Sequence, residues 1–256
     1  NAYPLKEIES MTKGNRKIGL GVMGFAEMLI QLGIPYNSKE AIDFAEKLMS
    51  FINGEARKIS EELGAERGAF PNVDKSIYKG TTMRNATRTS IAPTGSISTI
   101  AGTSSGIEPI FAVAYVRNIL EGERLIEVNP LFIKELKQRD LYSPELLNRI
   151  ARTGSLRDTD VPEDIKELYV TALEIEPEWH VRMQAAFQKH VDNAVSKTVN
   201  LPREATVEDV KEIYKLAYEL KCKGITVFRQ GSKEGVLSEG ISEMDLAECQ
   251  SESCYL

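Results

Sequence analysis

Residues 84–100 read RNATRTSIAPTGSISTI, and the architecture of the chain follows from this stretch. Its first part, Thr87 to Ala92, has the short alternating pattern of a β-strand. The strand leads into Pro93-Thr94-Gly95-Ser96, which is a turn sequence, and the residues after the turn can begin a helix. The stretch therefore predicts a strand that passes through a turn into a helix.

The turn has the chemistry of an anion-binding site. Backbone N–H groups at a helix N-terminus attract negative charge. Gly95 lets an oxygen atom approach the backbone closely, and the hydroxyl groups of Thr94, Ser96 and Ser98 can donate hydrogen bonds. No Lys follows Gly95, so the loop lacks the signature of a nucleotide-hydrolysing P-loop. We expect the loop to hold a phosphate without cleaving it; the alternative is an ordinary turn with a Ser N-cap.

Helices dominate the rest of the chain. Apolar residues recur at helical spacing in four segments, residues 25–32, 41–52, 177–197 and 206–223. Thr206 is a candidate N-cap for the last of them, and Gly224 is a candidate stop. An apolar strand at residues 225–228 follows directly. Helices followed by short apolar strands predict a mostly parallel sheet wrapped by helices, and therefore an α/β fold.

The composition excludes some classes of function. The chain has 256 residues, 42% of them hydrophobic, which suffices for one large core or two smaller ones. The formal net charge is −6, but five of the 38 acidic residues lie in residues 238–256, which leaves 33 acidic against 32 basic residues. A body this close to neutral excludes an electrostatic nucleic-acid binder.

The cysteine content and the apolar runs bear on the compartment. Three cysteines in a chain of this length, without a signal peptide, predict a protein of the reducing cytoplasm. The longest apolar stretch, residues 18–26, is too short to cross a bilayer, so we expect a soluble protein with no membrane partner. The chain starts with Asn1 rather than Met, and we expect it to be a piece of something longer.

One motif is misleading. Residues 19–24 read GLGVMG and match the G-x-G-x-x-G pattern of dinucleotide sites. That pattern needs a buried strand immediately before the first glycine. Residues 11–17, MTKGNRK, instead predict a polar turn. We therefore do not expect a nicotinamide or flavin here, and we expect the glycines to permit close helix packing.

The C-terminal segment differs from the body at residues 1–237. Residues 238–256 contain few large apolar residues and no Lys or Arg, which predicts a flexible arm. The arm carries a Cys-x4-Cys pair, Cys249 and Cys254. Such an arm suits thiol–disulfide exchange, because one thiolate can attack a remote disulfide and its neighbour can resolve the mixed intermediate. Two unrelated exposed cysteines, or half of a metal site, are the alternatives.

Four segments together resemble a known family. They read RKIGLGVMGFA at residues 16–26, RNAT with PTGSI within residues 84–97, GIEP at residues 106–109 and KGITV at residues 223–227. In this order, and spanning nearly the whole chain, they resemble the large catalytic subunit of ribonucleotide reductase. The resemblance implies the C-terminal half of that family's ten-stranded α/β barrel, rich in helices, with a flexible C-terminal tail.

The resemblance also implies roles for particular residues. The loop that holds the substrate's phosphates in that family matches Pro93, Thr94, Gly95, Ser96 and Ile97. The tail cysteines, which carry reducing equivalents from thioredoxin or glutaredoxin to the active-site disulfide, match Cys249 and Cys254. The third cysteine, Cys222, is expected to be a partly buried bystander, and His180 and His190 are expected to have structural roles rather than to bind a metal.

The absence of a tyrosine pair indicates which class of ribonucleotide reductase the chain resembles. Members with a separate radical-generating subunit need two adjacent tyrosines near the last barrel strand, where this chain reads ITVFR at residues 225–229. This sequence resembles that of the adenosylcobalamin-dependent class. We therefore expect adenosylcobalamin as the cofactor, in a site mostly outside this chain. The expected partners are a ribonucleotide, which the resemblance implies is a diphosphate, thioredoxin or glutaredoxin, the N-terminal half of the reductase, and further copies in a homo-oligomer.

The implied activity is reduction of a ribonucleotide to its 2′-deoxyribonucleotide by thiyl-radical chemistry. The family's radical cysteine and its reducing cysteine pair precede the segment that this chain matches, so the chain alone is not expected to turn over. Two alternatives remain: a non-catalytic nucleotide-binding or regulatory fragment, and the large subunit of a two-subunit iron-dependent reductase.

Overall fold

The computed structural model of the chain describes residues 1–118, 124–232 and 237–239. The described residues form helices at Lys6–Asn15 (α1), Phe25–Leu32 (α2), Lys39–Arg67 (α3), Gly95–Ala101 (α4), Pro130–Gln138 (α5), Pro144–Thr153 (α6), Glu163–Leu168 (α7), Pro177–Gln188 (α8) and Val207–Glu219 (α9). They form strands at Ala114–Asn118 (β1), Arg124–Val128 (β2), Thr198–Leu201 (β3), Thr226–Arg229 (β4) and Leu237–Glu239 (β5).

Four extended segments run parallel to one another, and we call this array the main sheet. β3 pairs with β4, and isolated bridges join residues 18–20 to residues 87–91 and the latter to the residues just before β3. Leu20 donates its backbone N–H to Arg88 O at 2.8 Å, and Ser196 donates its own to Ile91 O at 2.9 Å. The segment at residues 87–91 is therefore hydrogen-bonded on both edges. The predicted α/β fold with a mostly parallel sheet is confirmed, and the strand predicted at residues 225–228 is β4.

Phe25 is the centre of the main core. Its ring centroid lies 5.0 Å from that of Phe187 in α8, 6.4 Å from Tyr36 and 6.5 Å from Phe44 in α3. Aromatic rings at these distances bury large apolar areas and add favourable edge contacts. The helices α2, α3 and α8 thus share one core, as the apolar spacing of the sequence predicted.

The helix predicted at residues 177–197 ends early. α8 stops at Gln188, whose side-chain amide donates to Val191 O at 3.3 Å and to Asn193 O at 2.9 Å. Residues 189–190 form a turn, and tertiary contacts hold the residues that follow: Asn193 Nδ2 donates to Thr89 O at 2.9 Å. An extended segment that leads into β3 therefore replaces the last predicted helical turns.

The helix α9 begins as predicted but does not end as predicted. Thr206 Oγ1 accepts a hydrogen bond from Asp209 N–H at 3.3 Å, and the Asp209 carboxylate accepts one from Thr206 N–H at 2.6 Å. This reciprocal capping box fixes the start of the helix. The helix ends at Glu219, and Lys221, with φ of 61°, makes the left-handed turn, so Gly224 is not its stop.

A small antiparallel sheet was not predicted. β1 and β2 pair as a hairpin, and β5 pairs with the other edge of β1, with Tyr115 opposite Glu239. Ser238 and Glu239, the first residues of the predicted arm, thus lie in a strand. Residues 240–256 lie outside the described residues, so the flexible arm stays a prediction.

Two of the glycines, Gly19 and Gly21, serve strand packing rather than the predicted helix packing, and Gly24 is the left-handed N-cap of α2. The predicted polar turn before them is also wrong, because α1 extends through Asn15. A Cβ atom on Gly21 would lie 2.2 Å from Ser90 O, and one on Gly19 would lie 2.7 Å from Ser90 Cβ. Only a residue without a side chain lets the two neighbouring extended segments approach this closely.

A buried cation lies between β3 and α8. The Lys197 side chain is 0% exposed, and its Nζ lies 3.0 Å from His180 Nδ1. His180 Nε2 lies 3.0 Å from Ala172 O and donates to it, so Nδ1 accepts from Lys197. Burial and the neighbouring ammonium group lower the pKa of His180 to about 2. His180 is therefore neutral in the folded chain, in the structural role that was expected.

The steric demand at Gly21 can be tested by alanine substitution. We expect Gly21→Ala to lower the free energy of unfolding by about 3 kcal/mol, because the added Cβ meets a backbone oxygen rather than a flexible side chain. Gly54→Ala is the matched control: it lies inside α3 with nothing within 4 Å of the added Cβ, and should raise stability by about 0.5–1 kcal/mol. Urea unfolding measures both, and equal effects would contradict the packing described.

The neutral His180 predicts a pH dependence of stability. Below its ordinary pKa of 6.5, the unfolded chain binds a proton at His180 that the folded chain does not bind. The free energy of unfolding should therefore fall as the pH falls from 6.5 toward 2, through this residue by up to about 1.4 kcal/mol per pH unit. His180→Gln keeps a donor and an acceptor but does not titrate, so its slope between about pH 6 and pH 4 should be shallower. Parallel slopes in urea unfolding would disprove this assignment.

Candidate functional site

The predicted turn lies at the carboxyl end of the segment at residues 87–91. α4 begins at Gly95, and Thr94 precedes it with a left-handed backbone, φ 54° and ψ 18°. This conformation is uncommon for a β-branched residue, so the surrounding structure must hold it. Ligands of parallel sheets bind at the carboxyl ends of the strands. The turn is therefore the first candidate for a functional site.

The first turn of α4 presents unpaired amides. The N–H groups of Gly95, Ser96 and Ile97 have no acceptor among the described residues, whereas Ser98 N–H donates to Thr94 O at 2.9 Å. Gly95, Ser96 and Ile97 are exposed, and a Cβ atom on Gly95 would meet nothing within 4 Å. Three free donors face open space, which is the arrangement that an anion requires.

The hydroxyl groups of the turn divide into two kinds. Ser98 Oγ donates to Gly95 O at 3.0 Å and shares a 2.9 Å hydrogen bond with Ser105 Oγ, so Ser98 supports the fold and its predicted role as a ligand donor is wrong. Thr94 Oγ1 is buried and has no hydrogen-bond partner among the described residues. A buried hydroxyl without a partner costs free energy, which a ligand oxygen beside it would offset.

The segment at residues 103–106 supports the turn from one side. Gly24 donates its N–H to Ser104 O at 2.9 Å, and Glu27 accepts hydrogen bonds from the hydroxyls of Thr103, at 3.2 Å, and Ser104. A Cβ atom on Gly106 would lie 3.3 Å from Ala92 O and 3.7 Å from Thr94 Oγ1. The segment thus connects the glycine loop after residues 18–20 with the candidate site.

Glu108 and Lys197 lie behind this segment, and the sequence did not reveal their role. Glu108 Oε1 accepts from Thr198 N–H at 2.7 Å, and Oε2 accepts from Lys197 Nζ at 2.6 Å. Glu108 stands in the GIEP segment at residues 106–109 that carried part of the family resemblance. The sequence around Glu108 and around Lys197 does not predict their contact, because the bonded residues lie about ninety positions apart.

Of the three cysteines, the structure describes Cys222. Cys249 and Cys254 lie outside the described residues. Cys222 is half-buried against the core of β3 and α9, and burial raises the pKa of its thiol, as fits a bystander. The described part of the chain contains no group of three His, Cys, Asp or Glu side chains able to hold a metal ion. None of its helices is long and apolar enough to span a membrane.

Comparisons of the sequence identify relatives. The family model of the ribonucleotide reductase barrel domain matches residues 1–82 and 79–228. The vitamin B12-dependent ribonucleoside-diphosphate reductase of Thermoplasma acidophilum is 52% identical over 246 residues, which are 95% of this chain and 32% of that protein. The protein of the same name from Mycobacterium tuberculosis is 50% identical over 253 residues, 98% of this chain and 36% of that protein.

A solved structure agrees with these relatives. The class Id ribonucleotide reductase alpha subunit of Actinobacillus ureae matches with a TM-score of 0.73 and 25% sequence identity, over 86% of this chain and 40% of that chain. The chain spans about a third of the length of the curated relatives it matches. The predicted resemblance and the predicted barrel fold are confirmed. The chain therefore belongs to the family of ribonucleotide reductase barrel domains.

Proposed function

We propose that this chain is the part of a ribonucleoside-diphosphate reductase that holds the substrate's phosphates and carries the reductant-shuttling cysteines. The observation that carries the proposal is the set of three free amides at residues 95–97, beside the unpartnered hydroxyl of Thr94. Relatives at 50% identity or more are named for reduction of ribonucleoside diphosphates, which supports a diphosphate as the ligand.

The geometry suits a ligand that must be held while chemistry occurs elsewhere on it. Backbone amides cannot transfer a proton or attack phosphorus, so the loop anchors the diphosphate through N–H donors and the positive end of α4 without cleaving it. In the proposed reaction a thiyl radical removes the 3′ hydrogen of the ribose, and the 2′ hydroxyl leaves as water with a proton from a cysteine thiol. The hydrogen then returns to C3′, which restores the thiyl radical. A cysteine pair supplies the two electrons and becomes a disulfide.

We further propose that Cys249 and Cys254 reduce that disulfide by thiol exchange and are restored by thioredoxin or glutaredoxin. The radical cysteine and the first cysteine pair would come from the N-terminal half of the reductase, and the enzyme would be a cytoplasmic homo-oligomer. The charge balance of the body, 33 acidic and 32 basic residues outside residues 238–256, supports a small anionic substrate rather than a nucleic acid.

The names of two relatives at 50% identity or more support a cobalamin cofactor. When bound, adenosylcobalamin supplies the radical by homolysis of its cobalt–carbon bond. Beside the loop, Ile97 is 54% exposed and Ile100 is 86% exposed. An apolar surface of this kind fits the face of a corrin ring. We propose that these two side chains form one wall of the cofactor site and that most of the site lies outside this chain.

The phosphate loop can be tested with Gly95→Val. The added side chain occupies the open space in front of the amides, so we expect the dissociation constant for a ribonucleoside diphosphate to rise at least tenfold, about 1.4 kcal/mol. The free energy of unfolding should change by less than about 1 kcal/mol, because no atom lies within 4 Å of the new Cβ.

The matched control is Gly54→Val, which makes the same chemical change in open space on α3. Isothermal titration of both variants with ADP measures the dissociation constants. Unchanged affinity in Gly95→Val would show that the loop does not hold the phosphates.

The tail cysteines can be tested in the complete enzyme. Cys249→Ser and Cys254→Ser should each abolish turnover with thioredoxin, while a small dithiol that enters the barrel restores much of it, because the catalytic cysteines are intact. Cys222→Ala, at the half-buried bystander, should keep turnover with thioredoxin. Equal loss with both reductants would assign the pair another role, and full activity with thioredoxin would assign it none.

A further inference from the structure

We propose that the ion pair between the buried Lys197 and the partly exposed Glu108 positions the phosphate loop and thereby sets its affinity for the substrate's phosphates without touching them. This inference rests on the proposed function of the loop at residues 93–97. Glu108 and Lys197 are positioning residues in this view, because they act through the segment that packs against Thr94.

The first step is the place of Glu108 in the sheet. Ser196 donates its N–H to Ile91 O at 2.9 Å, and the neighbouring chain then leaves the sheet to form the phosphate loop. In a parallel pair every second amide faces the same neighbour, so Thr198 N–H points into the gap that the loop leaves. Glu108 Oε1 accepts from this amide at 2.7 Å. The carboxylate thus replaces the missing strand at the point where the site begins.

The second step is the fixed position of that carboxylate. Lys197 Nζ donates to Glu108 Oε2 at 2.6 Å, to His180 Nδ1 at 3.0 Å and to Thr198 O at 3.0 Å. Three acceptors use all three ammonium protons, and the side chain is 0% exposed. Both oxygens of Glu108 are therefore hydrogen-bonded, one to the fully buried Lys197 and one to the backbone amide of Thr198, and these two bonds fix the position of the carboxylate.

The third step connects Glu108 with the loop. Glu108 N–H donates to Ser105 O at 2.9 Å, and Ser105 Oγ meets Ser98 Oγ at 2.9 Å beneath the first turn of α4. Between them, Gly106 approaches Ala92 O so closely that a Cβ atom would lie 3.3 Å from it. A shift of Glu108 would therefore displace Ser105 and, through it, the first turn of α4, which carries the three free amides. Convergence of several donors on one anion depends on sub-ångström placement.

The test compares Glu108→Gln with a second buried ion pair as control. Glu108→Gln keeps the shape of the side chain and an acceptor for Thr198 N–H but removes the charge that Lys197 holds. Arg88 and Asp192, 2.8 Å apart, form a pair at the other end of residues 87–91, away from the loop. Asp192→Asn should lower the melting temperature as Glu108→Gln does, because both leave a buried cation unpaired.

The readout is the affinity of the 256-residue chain for ADP and for adenosine, measured by isothermal titration, with melting temperatures from calorimetry. We expect Glu108→Gln to weaken ADP binding about tenfold while adenosine binding and the affinities of Asp192→Asn stay unchanged. The double variant Lys197→Met/Glu108→Gln should regain melting temperature but not ADP affinity. If Glu108→Gln does not fold, Glu108→Asp serves in its place. It keeps the charge but shortens the side chain by one methylene group, and it is also expected to weaken ADP binding.

The possible results separate this inference from the proposed function. ADP affinity that falls in Gly95→Val but not in Glu108→Gln or Glu108→Asp would overturn the positioning role and leave the phosphate loop intact. Equal losses of ADP affinity in Glu108→Gln and Asp192→Asn would also overturn it, since any loss of stability would then suffice. A wild-type chain whose ADP affinity does not exceed its adenosine affinity would overturn both proposals.

Discussion

The backbone hydrogen bonding of the segment at residues 87–91 is the constraint on which the rest of the structure depends. The segment bonds on one edge to residues 18–20 and on the other to the residues that lead into β3. The hydrogen bonds on each edge restrict which residues can occupy the neighbouring segment. The first edge requires glycine at position 21, and the second ends the helix α8 so that the chain can extend. Where the segment leaves the sheet, its turn becomes the candidate site.

Buried ionic contacts hold both ends of this segment. At its start, the Asp192 carboxylate accepts from Arg88 N–H at 2.7 Å as well as from the Arg88 guanidinium. Beyond its end, Glu108 accepts from Thr198 N–H and pairs with Lys197. In each case a carboxylate bonds a backbone amide that lacks a strand partner. Buried ion pairs are weak contributors to net stability, but they define one arrangement, and here each fixes where a strand begins or ends.

Elements with a local signal were predictable from the sequence, and elements set by distant partners were not. The start of α9 was predictable because Thr206 and its reciprocal partner Asp209 are three residues apart. The free amides at residues 95–97 were predictable because a turn followed by a helix start leaves them unpaired. The end of α8 was not predictable, because it depends on the hydrogen bond between Asn193 and Thr89, which are far apart in the sequence. The hydroxyl of Ser98 looked available for a ligand because its partner Ser105 lies across a turn.

The pairing of β5 with β1 sets a tether length for the two tail thiols. β5 ends at Glu239, and Cys249 follows ten residues later. A fully extended chain spans at most about 3.6 Å per residue, so ten residues of covalent chain cannot separate Cys249 from Glu239 by more than about 36 Å. Without the pairing of β5, Ser232 would be the nearest described residue, and the same limit would be about 60 Å. Under the role proposed for Cys249, the disulfide that it reduces must therefore lie within about that distance of the three-residue strand β5.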